Sequence, residues 1–151
     1  MRRIALCLVA LAVSCAGAGC GGDTGPPLTP EEFAKQANAI CKANDAKLAE
    51  EGKDILKDPN TTPAQLVKFY LEHAIPNGRR KLEAIGKLSP PAKEKDKVKK
   101  MLADGKKAVD LVEQGLKKQG PAYLTAKGES PFKQFDSEAK ELKLTDCAGQ
   151  S

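Results

Sequence analysis

Tryptophan is absent from this 151-residue chain, histidine occurs once, and aromatic residues make up only 4% of it. Each scarcity argues against a class of function. Nucleic-acid binding of low sequence preference stacks bases on aromatic rings and leans on arginine. Beyond Arg2 and Arg3 the only arginines are Arg79 and Arg80, so no nucleic acid is expected as a partner. A single histidine rules out a two-histidine metal motif. Cys-x-x-Cys, Glu-x-x-His and haem-attachment spacings are missing as well. No metal or other cofactor is therefore expected. No serine or cysteine stands in a local nucleophile motif. Sustained period-two alternation is missing, β-branched residues are sparse, and no repeat of about 20 to 50 residues is present. Strand-built and solenoid folds are thus not expected.

What the chain does have begins at its N-terminus. Arg2 and Arg3 precede an uncharged apolar run from Ile4 to Val13, followed by small residues from Ser14 to Gly19. This is the order of a secretory signal peptide. A membrane-spanning helix needs about 20 apolar residues. This run is shorter, and Gly17 and Gly19 weaken its end, so a spanning helix is the runner-up reading. The stretch Ala16-Gly17-Ala18-Gly19-Cys20 resembles a bacterial lipobox, in which small residues precede a cysteine that becomes thioether-linked to diacylglycerol. It departs from that pattern at Gly17, where Leu, Val or Ile is usual. Cys15, preceded by Ala12-Val13-Ser14, is a rival. Cysteine parity separates the two. Of the five cysteines, modification of Cys20 leaves only Cys41 and Cys147 as thiols of the mature chain. Modification of Cys15 instead leaves Cys20 as an odd thiol in an oxidising compartment. Cys20 is therefore the expected lipidation site, and cleavage elsewhere with both cysteines as plain signal-peptide residues is the bland alternative.

The resulting organisation is a signal peptide over 1–19, a Gly/Pro-rich tether over 20–28, and one domain over 29–151. A domain of that length buries roughly two thirds of its surface. Losing Arg2 and Arg3 lowers the formal charge of +5 by two, leaving a mildly basic chain. Export to the outer face of a bacterial cell membrane, anchored through diacylglycerol on Cys20, is the expected localisation.

Behind the tether, Thr29-Pro30-Glu31-Glu32 is a helix start with capping-box chemistry. Phe33, Ala37, Ile40, Asn44, Leu48 and Ile55 follow at helical spacing, predicting a helix from Pro30 to Leu56. Thr62-Pro63-Ala64-Gln65 repeats the start signal. Its stripe is Val67, Leu71, Ala74, Gly78, Leu82, Ile85 and Leu88, and Pro76 should kink or split that helix near Ala74. A third helix is predicted from Pro91 to Gln119, with Gly105 on its apolar stripe allowing close approach. A short helical turn is allowed from Pro121 to Ala126. Phe132, Phe135, Ala139 and Leu142 mark a last helix after Pro131. Four amphipathic helices with short connections predict an all-α fold, an antiparallel up-down-up-down four-helix bundle.

Few residues offer chemistry. His73, near Tyr70 and Asn77, titrates near neutral pH, but a lone histidine reads first as a surface or half-buried residue. The paired acids Glu31-Glu32, Glu50-Glu51 and Glu138 with Glu141 fall beside lysines on non-core faces and read as ion-paired surface. Lys93, Lys95 and Lys99 begin the third helix with Glu94 and Asp96 interleaved. They suit an anionic surface or simply solvate the helix, and solvation is favoured. Cys41 and Cys147 are expected to form a disulfide. Export exposes them to oxidation, and the chain after the last helix returns along the first, with Lys143 to Asp146 extending to reach Cys41.

The stretch Phe33-Ala34-Lys35-Gln36-Ala37-Asn38-Ala39-Ile40-Cys41, the segment ending in Leu88-Ser89-Pro90-Pro91 and a lone cysteine near the C-terminus resemble small uncharacterised actinobacterial lipoproteins. That resemblance implies no activity. The expected function is binding or interaction by an anchored helical module, with a protein or anionic surface as possible partner. The alternative is an enzyme or inhibitor whose site assembles only in three dimensions. A polar pocket holding His73 and carboxylates favours the enzyme, whereas an apolar groove or basic face favours the binding module.

Overall fold

The computed structural model describes residues 25–149, and among them every regular element is helical. The signal segment 1–19 with Cys7 and Cys15, the lipidation site Cys20 and the first residues of the tether lie outside the described residues. Residues 25–28, read from sequence as the end of the tether, are fastened to the domain. Ser89 Oγ donates to the Gly25 carbonyl at 3.0 Å, and Leu28 N–H donates to the Ser89 carbonyl at 3.2 Å.

Helix α1 spans Pro30–Leu56, as the sequence predicts. Thr29 Oγ1 accepts from Glu32 N–H at 3.2 Å, and Thr29 N–H donates to Glu32 Oε2 at 3.0 Å. Two orphan amides of the first turn are thereby satisfied. The same box opens α2, Pro63–Phe69, where Thr62 and Gln65 exchange bonds of 3.3 and 2.8 Å.

The interruption expected near Ala74 takes the form of a change of helix type. The helix widens into a π turn, Tyr70–Ala74, and continues as α3, Ile75–Gly86. Ile75 N–H donates to the carbonyl of Tyr70, five residues back. Pro76 has no N–H, and its ring crowds the carbonyl one turn earlier. A widened turn accommodates it. The inserted residue also shifts the buried stripe. Val67, Leu71 and Ala74 are only half-buried, whereas Phe69, Ile75, Leu82 and Ile85 are buried.

Helix α4 spans Lys95–Gln119. It starts later than the predicted Pro91 because Glu94 N–H closes a separate turn on the Pro91 carbonyl at 2.9 Å. It stops at Gly120, whose φ of 57° suits glycine. The short α5 is Pro121–Thr125. The last helix, α6, spans Lys133–Glu141. It begins after a turn in which Ser130 accepts from Phe132 N–H at 3.2 Å and from Lys133 N–H at 3.0 Å.

Helix α1 packs on α3, α3 on α4, and α4 on α6. The glycines set the closest approaches. A Cβ on Gly105 would stand 2.8 Å from both Leu82 Cδ2 and Phe135 Cδ2, and one on Gly78 would stand 3.3 Å from Val109 Cγ2. Phe33, Ala37 and Cys41 of α1 meet Ile85, Met101 and Ala139 in one core.

After α6 the chain turns sharply. Lys143 takes a left-handed φ of 60°, Leu144 N–H reaches the Ala139 carbonyl at 2.8 Å, and Lys143 N–H reaches that of Lys140 at 3.0 Å. These two bonds make a Schellman cap. The C-terminal strap that follows is a turn rather than the extended segment expected from the sequence. Cys147 and Ala148 N–H both donate to the Leu144 carbonyl at 3.1 Å. Leu144 is fully buried. Asn38 of α1 clamps the strap, its Nδ2 donating to the Lys143 carbonyl and its Oδ1 accepting from Asp146 N–H, both at 3.0 Å. The expected disulfide is present: Cys41 and Cys147 are joined with Sγ–Sγ 2.04 Å and Cα–Cα 5.1 Å.

Candidate ligand-binding cavity

Unequal helix lengths leave a gap in this arrangement. Helix α6 has nine residues, about 13 Å at 1.5 Å per residue, beside the 27 residues and about 40 Å of α1. The strap closes α6 onto α1 over part of that length only. Above it lies a cleft of about 880 Å³. Its walls are α1 at Asp45 and Leu48, α3 at Asn77 to Leu82, and α4 at Gly105 and Val109. Residues 129–140, with Cys147 and Gly149 of the strap, complete it. Gly78 and Gly105 carry no side chains into this space, and Phe135 packs over Gly105.

The lining is apolar below and charged above. Leu48, Leu82, Val109, Phe132 and Phe135 supply the apolar surface. On the rim, Lys81 Nζ lies 2.8 Å from Asp45 Oδ1, and Lys133 Nζ lies 2.7 Å from Glu129 Oε1. The Lys133 ammonium holds the Glu129 carboxyl below the usual carboxylate range. Asp136 Oδ1 accepts from Gly149 N–H at 2.9 Å. Asn77 is the one buried polar residue among those described, only 2% exposed. Its Oδ1 accepts from Arg80 Nη2 at a long 3.4 Å.

His73 lies outside the cavity. Its ring stacks on Phe69 with centroids 5.3 Å apart, and Nδ1 stands 3.2 Å from Glu51 Oε2. It ties the π turn to α1. Of the acids singled out in the sequence, Glu32, Glu50, Glu51 and Glu138 are ion-paired or capping groups. Glu32 closes the α1 cap, and the Thr29 backbone amide holds its carboxyl below the usual range. Glu50 meets Lys53 at 2.5 Å, and Glu51 meets Lys47 at 3.8 Å as well as His73. Glu138 is engaged by Lys100 and by Gln134 Nε2 at 2.8 Å. Lys100 bridges Asp104 and Glu138, which push its pKa up to about 12. Lys93, Lys95 and Lys99 are exposed near the start of α4, with Glu94 and Asp96 between them, and none lines the cavity. Of these candidates the structure joins His73 to Glu51, at the contact of the π turn with α1 and outside the cavity. It assembles instead Asn77, the Lys81–Asp45 pair and two phenylalanines, which no local motif marks.

Among the described residues no group of three or more His, Cys, Asp or Glu side chains is placed to hold a metal ion. No helix among them is long and apolar enough to cross a membrane. Comparison with protein-family models, with characterised proteins and with solved structures finds no match for this chain.

Proposed function

We propose that this protein is a membrane-anchored, extracytoplasmic binding module whose cleft between α1, α3, α4 and α6 takes up a small apolar molecule. One observation carries the reading: a cleft of about 880 Å³ with an apolar floor and an ion-paired rim that excludes His73. Ligand sites are usually concave, largely apolar and roughly 300–1,000 Å³, with a few placed polar groups. An enzyme of the kind weighed from the sequence needs reactive groups converging on that space, and the histidine is spent elsewhere on Glu51.

In this reading α1, the α2–α3 rod, α4 and α6 run up-down-up-down. Contacts that run in opposite senses along each neighbouring pair support it: Glu51 with His73 and Asp45 with Lys81, Gly78 with Val109 and Leu82 with Gly105, Gly105 with Phe135 and Lys100 with Glu138. Cys20 carries the diacylglycerol that holds the domain at the membrane. The lysines opening α4 solvate that end of the helix.

Two measurements test the proposal. The environment-sensitive probe N-phenyl-1-naphthylamine should gain fluorescence on binding the purified protein, saturating at one site. Leu82→Glu, which places a charge on the cleft floor, should abolish that gain. For the anchor, Cys20→Ala should move the protein from the membrane fraction to the soluble exported fraction, whereas Cys15→Ala should leave it on the membrane. Retention of the Cys20→Ala protein on the membrane sinks the lipidation assignment.

A further inference from the structure

We propose that the occupant of the cleft is an uncharged amphiphile, an acyl or alkyl chain bearing a hydrogen-bond acceptor such as an ester carbonyl, and that Asn77 reads that acceptor. This rests on the binding-module reading and narrows it to a ligand class.

The charge on the rim argues first. Three cations, Lys81, Lys133 and Lys140, face three anions, Asp45, Glu129 and Asp136. Lys81 and Lys133 already hold Asp45 and Glu129 at 2.8 and 2.7 Å. Asp136 is occupied by the strap amide of Gly149, and Lys140 is also engaged. An anionic head group would have to break a pair to gain Lys81 or Lys133, and a cationic one would compete with those lysines for Asp45 or Glu129. A neutral molecule leaves them intact. Below the rim, Leu48, Leu82, Val109, Phe132 and Phe135 offer only apolar surface, which a hydrocarbon body matches.

Asn77 supplies the selective element. It is 2% exposed yet lines the cleft. A guanidinium has donors only, so the Asn77 atom facing Arg80 Nη2 is the carbonyl oxygen. The amide nitrogen has no acceptor among the described residues, on a residue that lines the cleft. A ligand that covers it takes its N–H out of water and must offer an acceptor in return. An ester or amide carbonyl lying along the apolar floor satisfies it, and an anion has no ammonium free to justify its desolvation. The helix interior at this point would otherwise favour leucine or alanine over asparagine.

The experiment is displacement of bound N-phenyl-1-naphthylamine from the purified protein by three ligands of equal chain length. These are monolaurin (neutral, with an ester carbonyl), laurate (anionic) and dodecyltrimethylammonium (cationic), each kept below its critical micelle concentration. Monolaurin should displace the probe at concentrations at least tenfold lower than either charged ligand. Asn77→Leu should still bind the probe, but monolaurin should weaken about tenfold. Carbonyl-labelled monolaurin bound to the unaltered protein should show its infrared C=O stretch lowered by hydrogen bonding, a reading that does not depend on how the variant folds. If the probe fails to bind at all, the cleft does not take up small apolar molecules, and both readings fall. If the probe binds but a charged ligand displaces it as well as monolaurin does, the cavity stands and the ligand class is overturned. If the infrared band of bound monolaurin matches that in hydrocarbon solvent, Asn77 does not read the carbonyl.

Discussion

Reducing the Cys41–Cys147 disulfide should cost the protein much of its stability while leaving the cleft able to bind. The bond joins residues 106 apart in sequence. In the chain-entropy account, closing a loop of about 100 residues restricts the unfolded ensemble by about 4.7 kcal/mol. A domain of this kind has a net stability of about 5–15 kcal/mol, so the loss is a third of the total or more. The folded state should barely notice. Both cysteines stay buried, the two Asn38 hydrogen bonds still hold Lys143 and Asp146 against α1, and Leu144 remains in the core. With an m-value of about 1.5 kcal/mol/M in urea, a loss of about 4 kcal/mol lowers the midpoint by about 2.5 M. The assay is urea unfolding followed by circular dichroism, with and without reductant. Cys41→Ala/Cys147→Ala serves as a reductant-free control, and a probe titration is run on each sample. Oxidised and reduced midpoints that agree within about 0.3 M refute the entropic argument. A reduced protein that keeps its midpoint near the expected value but loses the probe shows instead that the bond shapes the cleft wall.

Gly105→Ala should destabilise by up to about 2 kcal/mol, because a Cβ there meets Leu82 and Phe135 at 2.8 Å and overpacking of about 1–3 kcal/mol exceeds the roughly 1 kcal/mol gain in helix propensity. Gly78→Ala, facing Val109 at 3.3 Å, should cost less, and thermal melts of the pair check the order. Asn38→Ala removes both clamps on the strap and should cost about 1–3 kcal/mol, with amide exchange accelerating first at Leu144 to Ala148. Stability should also fall in acid. Glu113 is held low by Lys117 and Arg79, and Asp104 by Lys100. Their folded pKa values therefore lie below the ordinary 4.5 and 3.8, and the unfolded chain takes up protons first as pH drops. Stability should hold near neutrality and decline as pH falls through about 4.5 and below, and Glu113→Gln should make that decline shallower in melts run across pH.

The parts of this fold legible in the sequence are those encoded by neighbours. Thr29 with Glu32 and Thr62 with Gln65 are three residues apart, so their caps are written in a single turn of chain. Gly105 could be read as a close-approach position because it interrupts an apolar stripe. The disulfide followed from counting cysteines. What was not legible depends on distances the sequence does not carry. Asn77 is buried although it stands beside the Gly78, Leu82 and Ile85 stripe of α3, and Leu144 enters the core only because Lys143 accepts a left-handed backbone. The cleft itself comes from a difference in length between α1 and α6, and no motif records a length difference. Leu48, Phe132 and Phe135 were read correctly as apolar stripe residues, but stripes do not say where packing stops short.

The π turn at Tyr70–Ala74 makes the α2–α3 rod behave like a screw with one extra thread. A residue added to or removed from a helix turns everything on one side of it by about 100°. The present phase points Phe69 at Gly52, where a Cβ would stand 2.6 Å from Cζ, while α3 keeps Leu82 against Gly105. Deleting one residue within 70–74 would restore an ordinary helix locally and swing α2 away from its seat on α1 and α5. The segment therefore tolerates exchange of side chains far better than change of length, and any insertion there would be read out at the distant α1–α2 contact rather than at the turn itself.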